Sequence, residues 1–197
     1  MKKIGINLNK IKQKEIDFIA DYFKRGQVVI YPTDTVYGLG CLANNKKAIN
    51  KIYRVKQRDR AKPLLILISG FKMLKKYCYV SEGQLKYLKR VWPGPVSVIL
   101  KSKGVLPREL TGGRDSLAVR LPKNGFLIKI ITKVNLPLVS TSVNISGRRS
   151  PDNLDNLAKY FKQTKPNLVI NAGKIGKLKP SKLVDLRDVE NVRVLRR

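Results

Sequence analysis

Gln27-Val28-Val29-Ile30-Tyr31-Pro32-Thr33-Asp34-Thr35-Val36-Tyr37-Gly38-Leu39-Gly40 sets a β-branched run directly ahead of a proline and a cluster of hydroxyl, carboxyl and glycine residues. Residues 27–31 read as a strand, and Pro32 closes it because the ring carries no N–H for a ladder. The residues after Pro32 read as a loop at the strand's carboxyl end, where ligands of α/β sheets tend to sit. Two threonine hydroxyls, the Asp34 carboxylate and glycines that permit close backbone approach can together recognise a small polar molecule. The same residues also serve as a plain turn, using Pro, Asp and Gly for their backbone preferences.

Working outward, the chain alternates. Upstream, Ile11, Ile16, Ile19, Ala20 and Phe23 fall near helical spacing and Gly26 follows two cations, which predicts a helix over 10–25. Downstream the pattern predicts a helix over 45–56, a buried strand over 63–68, and a helix over 82–91 that must stop before Trp92-Pro93-Gly94-Pro95. A strand follows at 96–100. The second half repeats the rhythm with strand 116–121, helix 125–134, strand 137–143 and helix 153–163, then short strands near 167–171, 182–186 and 192–195. This is an α/β pattern, a twisted sheet flanked by helices, and the late run of short strands makes the sheet mixed. No linker, repeat or low-complexity tract divides the chain, so residues 1–197 read as a single domain.

Composition narrows the chemistry. The 197 residues include no histidine, which excludes a Ser-His-Asp triad, an imidazole base and histidine-ligated zinc. Cys41 and Cys78 form no Cys-x-x-Cys pair and read as reduced thiols. No apolar run approaches the roughly 20 residues that span a bilayer, and the start has no signal-peptide pattern, so a soluble cytoplasmic protein without membrane contact is expected. The 42 Lys+Arg outnumber 13 Asp+Glu, for a formal charge of +29. Every quarter of the chain is basic, as compositional drift toward lysine would produce. Equally, such a field attracts polyanions, and residues 51–150 carry +18 of the excess.

Two further segments can carry chemistry. Lys56-Gln57-Arg58-Asp59-Arg60-Ala61-Lys62-Pro63 joins a helix to a strand. Its cations suit a helix C-terminus, which favours positive charge, or a cleft that grips phosphates. In Leu138-Val139-Ser140-Thr141-Ser142-Val143-Asn144-Ile145-Ser146-Gly147 the polar groups at 140, 142, 144 and 146 alternate, so they share one face if the strand continues. Neither a Walker-type nor a G-x-G-x-x-G pattern is present, which excludes an ordinary P-loop or dinucleotide fold.

These three segments, together with Arg90-Val91-Trp92-Pro93-Gly94-Pro95, Leu110 to Arg120, Lys179-Pro180-Ser181 with Asp185, and Leu195-Arg196, resemble the YrdC family in order and spacing. Within it they resemble the short bacterial threonylcarbamoyl-AMP synthases of the TsaC type. The resemblance implies the YrdC-like mixed sheet with a basic concave cleft. It also implies condensation of L-threonine, bicarbonate and ATP to threonylcarbamoyl-AMP plus pyrophosphate, feeding tRNA threonylcarbamoyladenosine modification. By that likeness Lys56 and Arg58 are the catalytic pair, and ATP is held by them with Lys62, Ser116, Ser142, Asn144, Ser150 and Arg196. Threonine lies near Thr35, Arg120, Ser140 and Ser181. Mg²⁺ comes with ATP, with no side-chain metal ligands assigned, and threonylcarbamoyl transferase proteins receive the product. Asp59, Val143 and Lys182 depart from the family's usual residues, and none of these changes removes a proposed ligand. The alternatives are an RNA-binding module acting on tRNA or rRNA, motivated by the charge, and an enzyme using carbamoyl phosphate as donor.

Overall fold

The computed structural model describes residues 1–148, 154, 157–173 and 179–196. Its ten strands are β1 (Lys2–Gly5), β2 (Val29–Tyr31), β3 (Gly38–Gly40), β4 (Leu65–Leu67), β5 (Val96–Lys101), β6 (Ser116–Arg120), β7 (Leu138–Ser142), β8 (Leu168–Asn171), β9 (Lys182–Asp185) and β10 (Arg193–Arg196). They form one sheet in the order β1-β8-β2-β3-β7-β4-β6-β5-β9-β10. β1 and β2 flank β8 in parallel, β4 pairs β6 in parallel and β5 pairs β9 in parallel, while the other neighbours are antiparallel. The mixed sheet expected from the late short strands is therefore present.

The helices are α1 (Gln13–Lys24), α2 (Lys46–Lys56), α3 (Phe71–Tyr77), α4 (Glu82–Val91), α5 (Arg108–Thr111), α6 (Gly125–Val134) and α7 (Leu157–Tyr160). α1 buries Ile16, Ile19, Ala20 and Phe23, the i, i+3, i+4, i+7 stripe of an amphipathic helix, and packs on α6. Gly26 stops it in the left-handed region at φ 70°. α2 starts where the Asn45 side chain accepts from Ala48 N at 2.9 Å, and it ends at left-handed Gln57. That ending turns the chain sharply, so Lys56 and Arg58 leave the helix in different directions.

Several expectations shift. The helix predicted over 10–25 begins at Gln13, and the strand predicted over 27–31 pairs only from Val29. Of the helix expected over 153–163, the described residues carry one turn at Leu157–Tyr160, and Phe161 to Gln163 are not helical. β1, β3, α3 and α5 were not predicted. β3 is Gly38-Leu39-Gly40, poor in strand formers because its neighbours leave no room. A Cβ on Gly40 would lie 1.8 Å from the Val139 carbonyl oxygen, and one on Gly38 would lie 2.7 Å from the Tyr31 ring. Both cysteines are buried and unbridged, and burial raises the Cys78 thiol to about 12. No described helix is long and apolar enough to cross a membrane.

Candidate active site

A cavity of about 270 Å³ opens on one face of the seven adjacent strands from β3 to β10. Register decides its lining. Leu65 on β4 sits opposite Ser140 on one side and Ala118 on the other, and Gly38 sits opposite Ser142. Two residues beyond Ala118 on the same face comes Arg120, and Ser97 sits opposite Leu183. Thr35, Arg58, Ser140, Ser142, Arg120, Ser181 and Arg196, dispersed over the sequence, therefore meet at one place. The volume lies just under the roughly 300–1,000 Å³ of small-molecule sites, so it suits an amino acid better than a whole nucleotide.

At one end stands Arg120, 3% exposed. Its Nε donates to Gly94 O at 3.0 Å and its Nη1 to Thr35 Oγ1 at 3.0 Å. Nη2 lies 2.6 Å from Asp34 Oδ1 but out of line for a hydrogen bond, so the contact is an ion pair that leaves hydrogen-bonding capacity on both atoms. Asp34 Oδ2 accepts from Lys123 N at 2.9 Å. Burial draws the Arg120 pKa down, and Asp34 works against it. A buried guanidinium with a partner on three sides is a fixed fork, ready for a carboxylate at low entropic cost.

At the opposite end Ser181 Oγ lies 2.8 Å from Ser97 Oγ, and Arg196 reaches back from β10 to donate Nε and Nη2 to Ser181 O at 3.0 and 2.8 Å. Arg58 donates Nε to Lys62 O and Nη2 to Pro63 O, at 3.2 and 3.0 Å, which shapes the 58–63 loop around its own guanidinium. Burial lowers the Arg58 pKa.

Lys56 is 1% exposed and does not line the cavity. Its ammonium donates to Ser142 O at 2.6 Å, Asn144 O at 2.8 Å and Asn144 Oδ1 at 2.9 Å, and Ser146 N donates to Lys56 O at 2.7 Å. All three ammonium hydrogens are thereby spent on the segment after β7, so in this state Lys56 builds the wall behind Ser142. Burial, helped by Arg58, brings its pKa down to about 7. The row expected at 140, 142, 144 and 146 is interrupted for the same reason. β7 ends at Ser142, Asn144 N turns back to Ser142 O at 3.0 Å, and only Ser140 and Ser142 of that row face the cavity.

The remaining expected residues lie outside the lining. Lys62 is exposed at the surface, and its carbonyl serves Arg58 and Tyr53. Ser116 shares a face of β6 with Ala118 and Arg120, beyond the cavity's edge. Ser150 lies outside the described residues. Thr33, read from the sequence as one of two loop hydroxyls but given no ligand, lines the cavity together with Tyr37 and Ser97, which sequence reasoning did not assign. Thr33 and Tyr37 had a local signal in their place within the 31–40 segment, whereas Ser97 had none. The cations that line this cavity are Arg58, Arg120 and Arg196.

A twisted mixed sheet whose strands cup an arginine- and hydroxyl-lined cavity defines a small-molecule-binding α/β domain. The Sua5/YciO/YrdC family model, described as "Telomere recombination", matches residues 21–197, and the chain belongs to that family. It is 34% identical over 180 residues to the threonylcarbamoyl-AMP synthase of Pyrococcus abyssi, covering 91% of this chain and 53% of that protein. To the threonylcarbamoyl-AMP synthase of Yersinia enterocolitica it is 35% identical over 170 residues, covering 85% of this chain and 88% of the relative. It thus spans about half of the archaeal relative and most of the bacterial one. The crystal structure of P. abyssi Sua5 complexed with L-threonine superposes with a TM-score of 0.90 at 32% identity, covering 100% of this chain and 57% of the other.

Proposed function

We propose that this chain condenses L-threonine, bicarbonate and ATP into threonylcarbamoyl-AMP, releasing pyrophosphate, for threonylcarbamoyl modification of tRNA. The observation that carries the reading is the fixed Arg120–Thr35–Asp34 group in a cavity of amino-acid size, with Arg58 and Arg196 beside it. Family membership and the threonine complex of the P. abyssi relative support it.

The threonine amine attacks bicarbonate carbon, and loss of water leaves a carbamate. A carbamate oxygen then attacks the α-phosphorus of ATP, the bond to the β-phosphate breaks, and pyrophosphate leaves. Negative charge develops on phosphoryl oxygens, which fixed cations stabilise without reorganising. Arg58 and Arg196 supply that charge at the cavity, Ser142 and the wall behind it position the nucleotide, and Arg120 takes the threonine carboxylate. Holding three reactants together removes much of the entropic barrier. None of these steps calls for an imidazole.

Mg²⁺ would enter with ATP. No cluster of three or more Cys, Asp or Glu suited to a metal occurs among the described residues, and Asp34 beside the cavity is committed to Arg120 and Lys123 N. The ion would therefore be held by phosphate oxygens, whose charge it neutralises. Transferase proteins would receive the product, and RNA contact is a secondary expectation resting on the +29 charge. The test is pyrophosphate release with each of threonine, bicarbonate and ATP omitted in turn. Dependence on all three supports the reading, and threonine-independent release overturns it.

A further inference from the structure

The hydroxyls of Thr33 and Thr35 can be accounted for hydrogen by hydrogen. A hydroxyl has one hydrogen to donate and two lone pairs to accept with. Thr33 Oγ1 lies 2.7 Å from Val36 O, and since a carbonyl cannot donate, the Thr33 hydrogen is spent there. Thr35 N donates to Thr33 Oγ1 at 2.9 Å, which uses one lone pair. The remaining contact, Thr33 Oγ1 to Thr35 Oγ1 at 3.0 Å, must then be donated by Thr35 into the second lone pair. Thr33 is saturated, and its hydroxyl has nothing left for a ligand. Thr35 has given up its only hydrogen and accepts from Arg120 Nη1 at 3.0 Å, so one lone pair remains. Arg120, Thr35, Thr33 and the Val36 carbonyl form a chain of hydrogen bonds running one way, anchored at its cationic end by Asp34. Thr33 and Thr35 are 5% and 6% exposed, and both line the cavity.

We propose that Thr33 is a positioning residue that fixes Thr35 as a hydrogen-bond acceptor toward the cavity, so that Thr35 takes the amine of the amino-acid substrate. The assignment rests on the threonine reading above and deepens it. A carboxylate or phosphate oxygen offers only lone pairs and is repelled at this point, whereas an N–H is welcomed. On an α-amino acid the amine is adjacent to the carboxylate, and Thr35 Oγ1 is adjacent to the Arg120 guanidinium, so the two recognition groups match in spacing and in polarity. The reacting nitrogen is thus oriented by its own N–H, which sets where its lone pair points when bicarbonate arrives.

The test is calorimetric binding of L-threonine, L-2-aminobutyrate (the same amino acid without its hydroxyl) and ATP to the unmodified chain, Thr33→Val and Thr33→Ser. In Thr33→Val the Thr35 hydrogen is released and can turn to the cavity. Affinity for threonine and for 2-aminobutyrate should fall by the same factor, about tenfold, which is the worth of one hydrogen bond to a charged group. ATP affinity should stay within about twofold, and Thr33→Ser, which keeps the hydroxyl, should restore both amino-acid affinities. Unchanged threonine binding in Thr33→Val, or a loss seen with threonine but not with 2-aminobutyrate, overturns the assignment; the latter would place the substrate hydroxyl at Thr35. Parallel loss of ATP binding, or failure of Thr33→Ser to rescue, marks a merely structural role and also overturns it. Failure of the unmodified chain to bind threonine would count against the function itself.

Discussion

Replacing Lys56 by methionine separates a residue that builds the site from one that touches the nucleotide. The substitution keeps the buried stem and removes an ammonium that donates to Ser142 O, Asn144 O and Asn144 Oδ1. Two of these acceptors keep another partner, since Asn144 N still reaches Ser142 O and Ser142 Oγ still reaches Asn144 Oδ1. Bonds to a charged donor contribute about 1.5–3 kcal/mol each, and relief from burying the ammonium offsets part of the loss. The net expected is a destabilisation of about 2–4 kcal/mol. For a chain of this size that lowers Tm by roughly 4–16 °C, at about 2–4 °C per kcal/mol. Most domains have enough reserve to remain folded after such a loss. Scanning calorimetry and ATP titration on the same samples read both effects, with Arg58→Ala as the contrast. Arg58 faces the cavity and is tied only to Lys62 O and Pro63 O, so its loss should abolish pyrophosphate release with a much smaller change in Tm. If Lys56→Met abolished ATP binding with Tm unchanged, the ammonium would be a phosphate ligand and the reasoning would fail.

Two other outcomes are expected. Gly40→Ala puts a Cβ 1.8 Å from Val139 O and 2.7 Å from Tyr31 Oη, forcing β3 away from β7. Its Tm should fall more than in Lys56→Met, whereas Gly5→Ala, with nothing within 4 Å, should leave Tm unchanged. The pH dependence comes from the depressed Lys56 pKa, about 7 against 10.5 in the unfolded chain. Between those values the unfolded state binds more protons, so this group's contribution to stability rises with pH, as unfolding titrations should show. The wall behaves oppositely, because a neutral amine brings two hydrogens to three oxygens. ATP affinity should weaken as pH rises above about 7, and an affinity flat across that range in calorimetry would contradict it.

How much of the molecule was legible in the sequence depends on which forces are local. Amphipathic stripes such as Ile16, Ile19, Ala20 and Phe23 are set by neighbours in the chain, so α1, α2, α4 and α6 were legible. β3 was not, because its glycines answer to Tyr31 and to Val139, which lies about a hundred residues away. β1 is a mostly exposed edge strand that pairs only β8, and no alternation marks it. At the site, Thr35, Ser140 and Ser181 could be named through a family resemblance, and only the fold shows that two loop residues and one strand residue line the same cavity. Ser97 could not be named, since nothing near it in sequence says that Ser181 will lie 2.8 Å away. Lys56 was named through the same resemblance, and its geometry was not legible. Only the fold shows that the left-handed turn at Gln57 sends Lys56 into the wall and Arg58 to the cavity. Of the cations behind the +29 charge, Arg58, Arg120 and Arg196 line the cavity, and no lysine does so among the described residues.

If the chain condenses threonine, bicarbonate and ATP at a site that includes this cavity, the most direct measurement is pyrophosphate release by the purified chain with each substrate withheld in turn. The account predicts release only when threonine, bicarbonate and ATP are all present, with an adenylate bearing the threonylcarbamoyl group formed in equal amount. Release that persists without threonine, or release driven by carbamoyl phosphate in place of threonine and bicarbonate with an unsubstituted carbamoyl adenylate as the product, would contradict it.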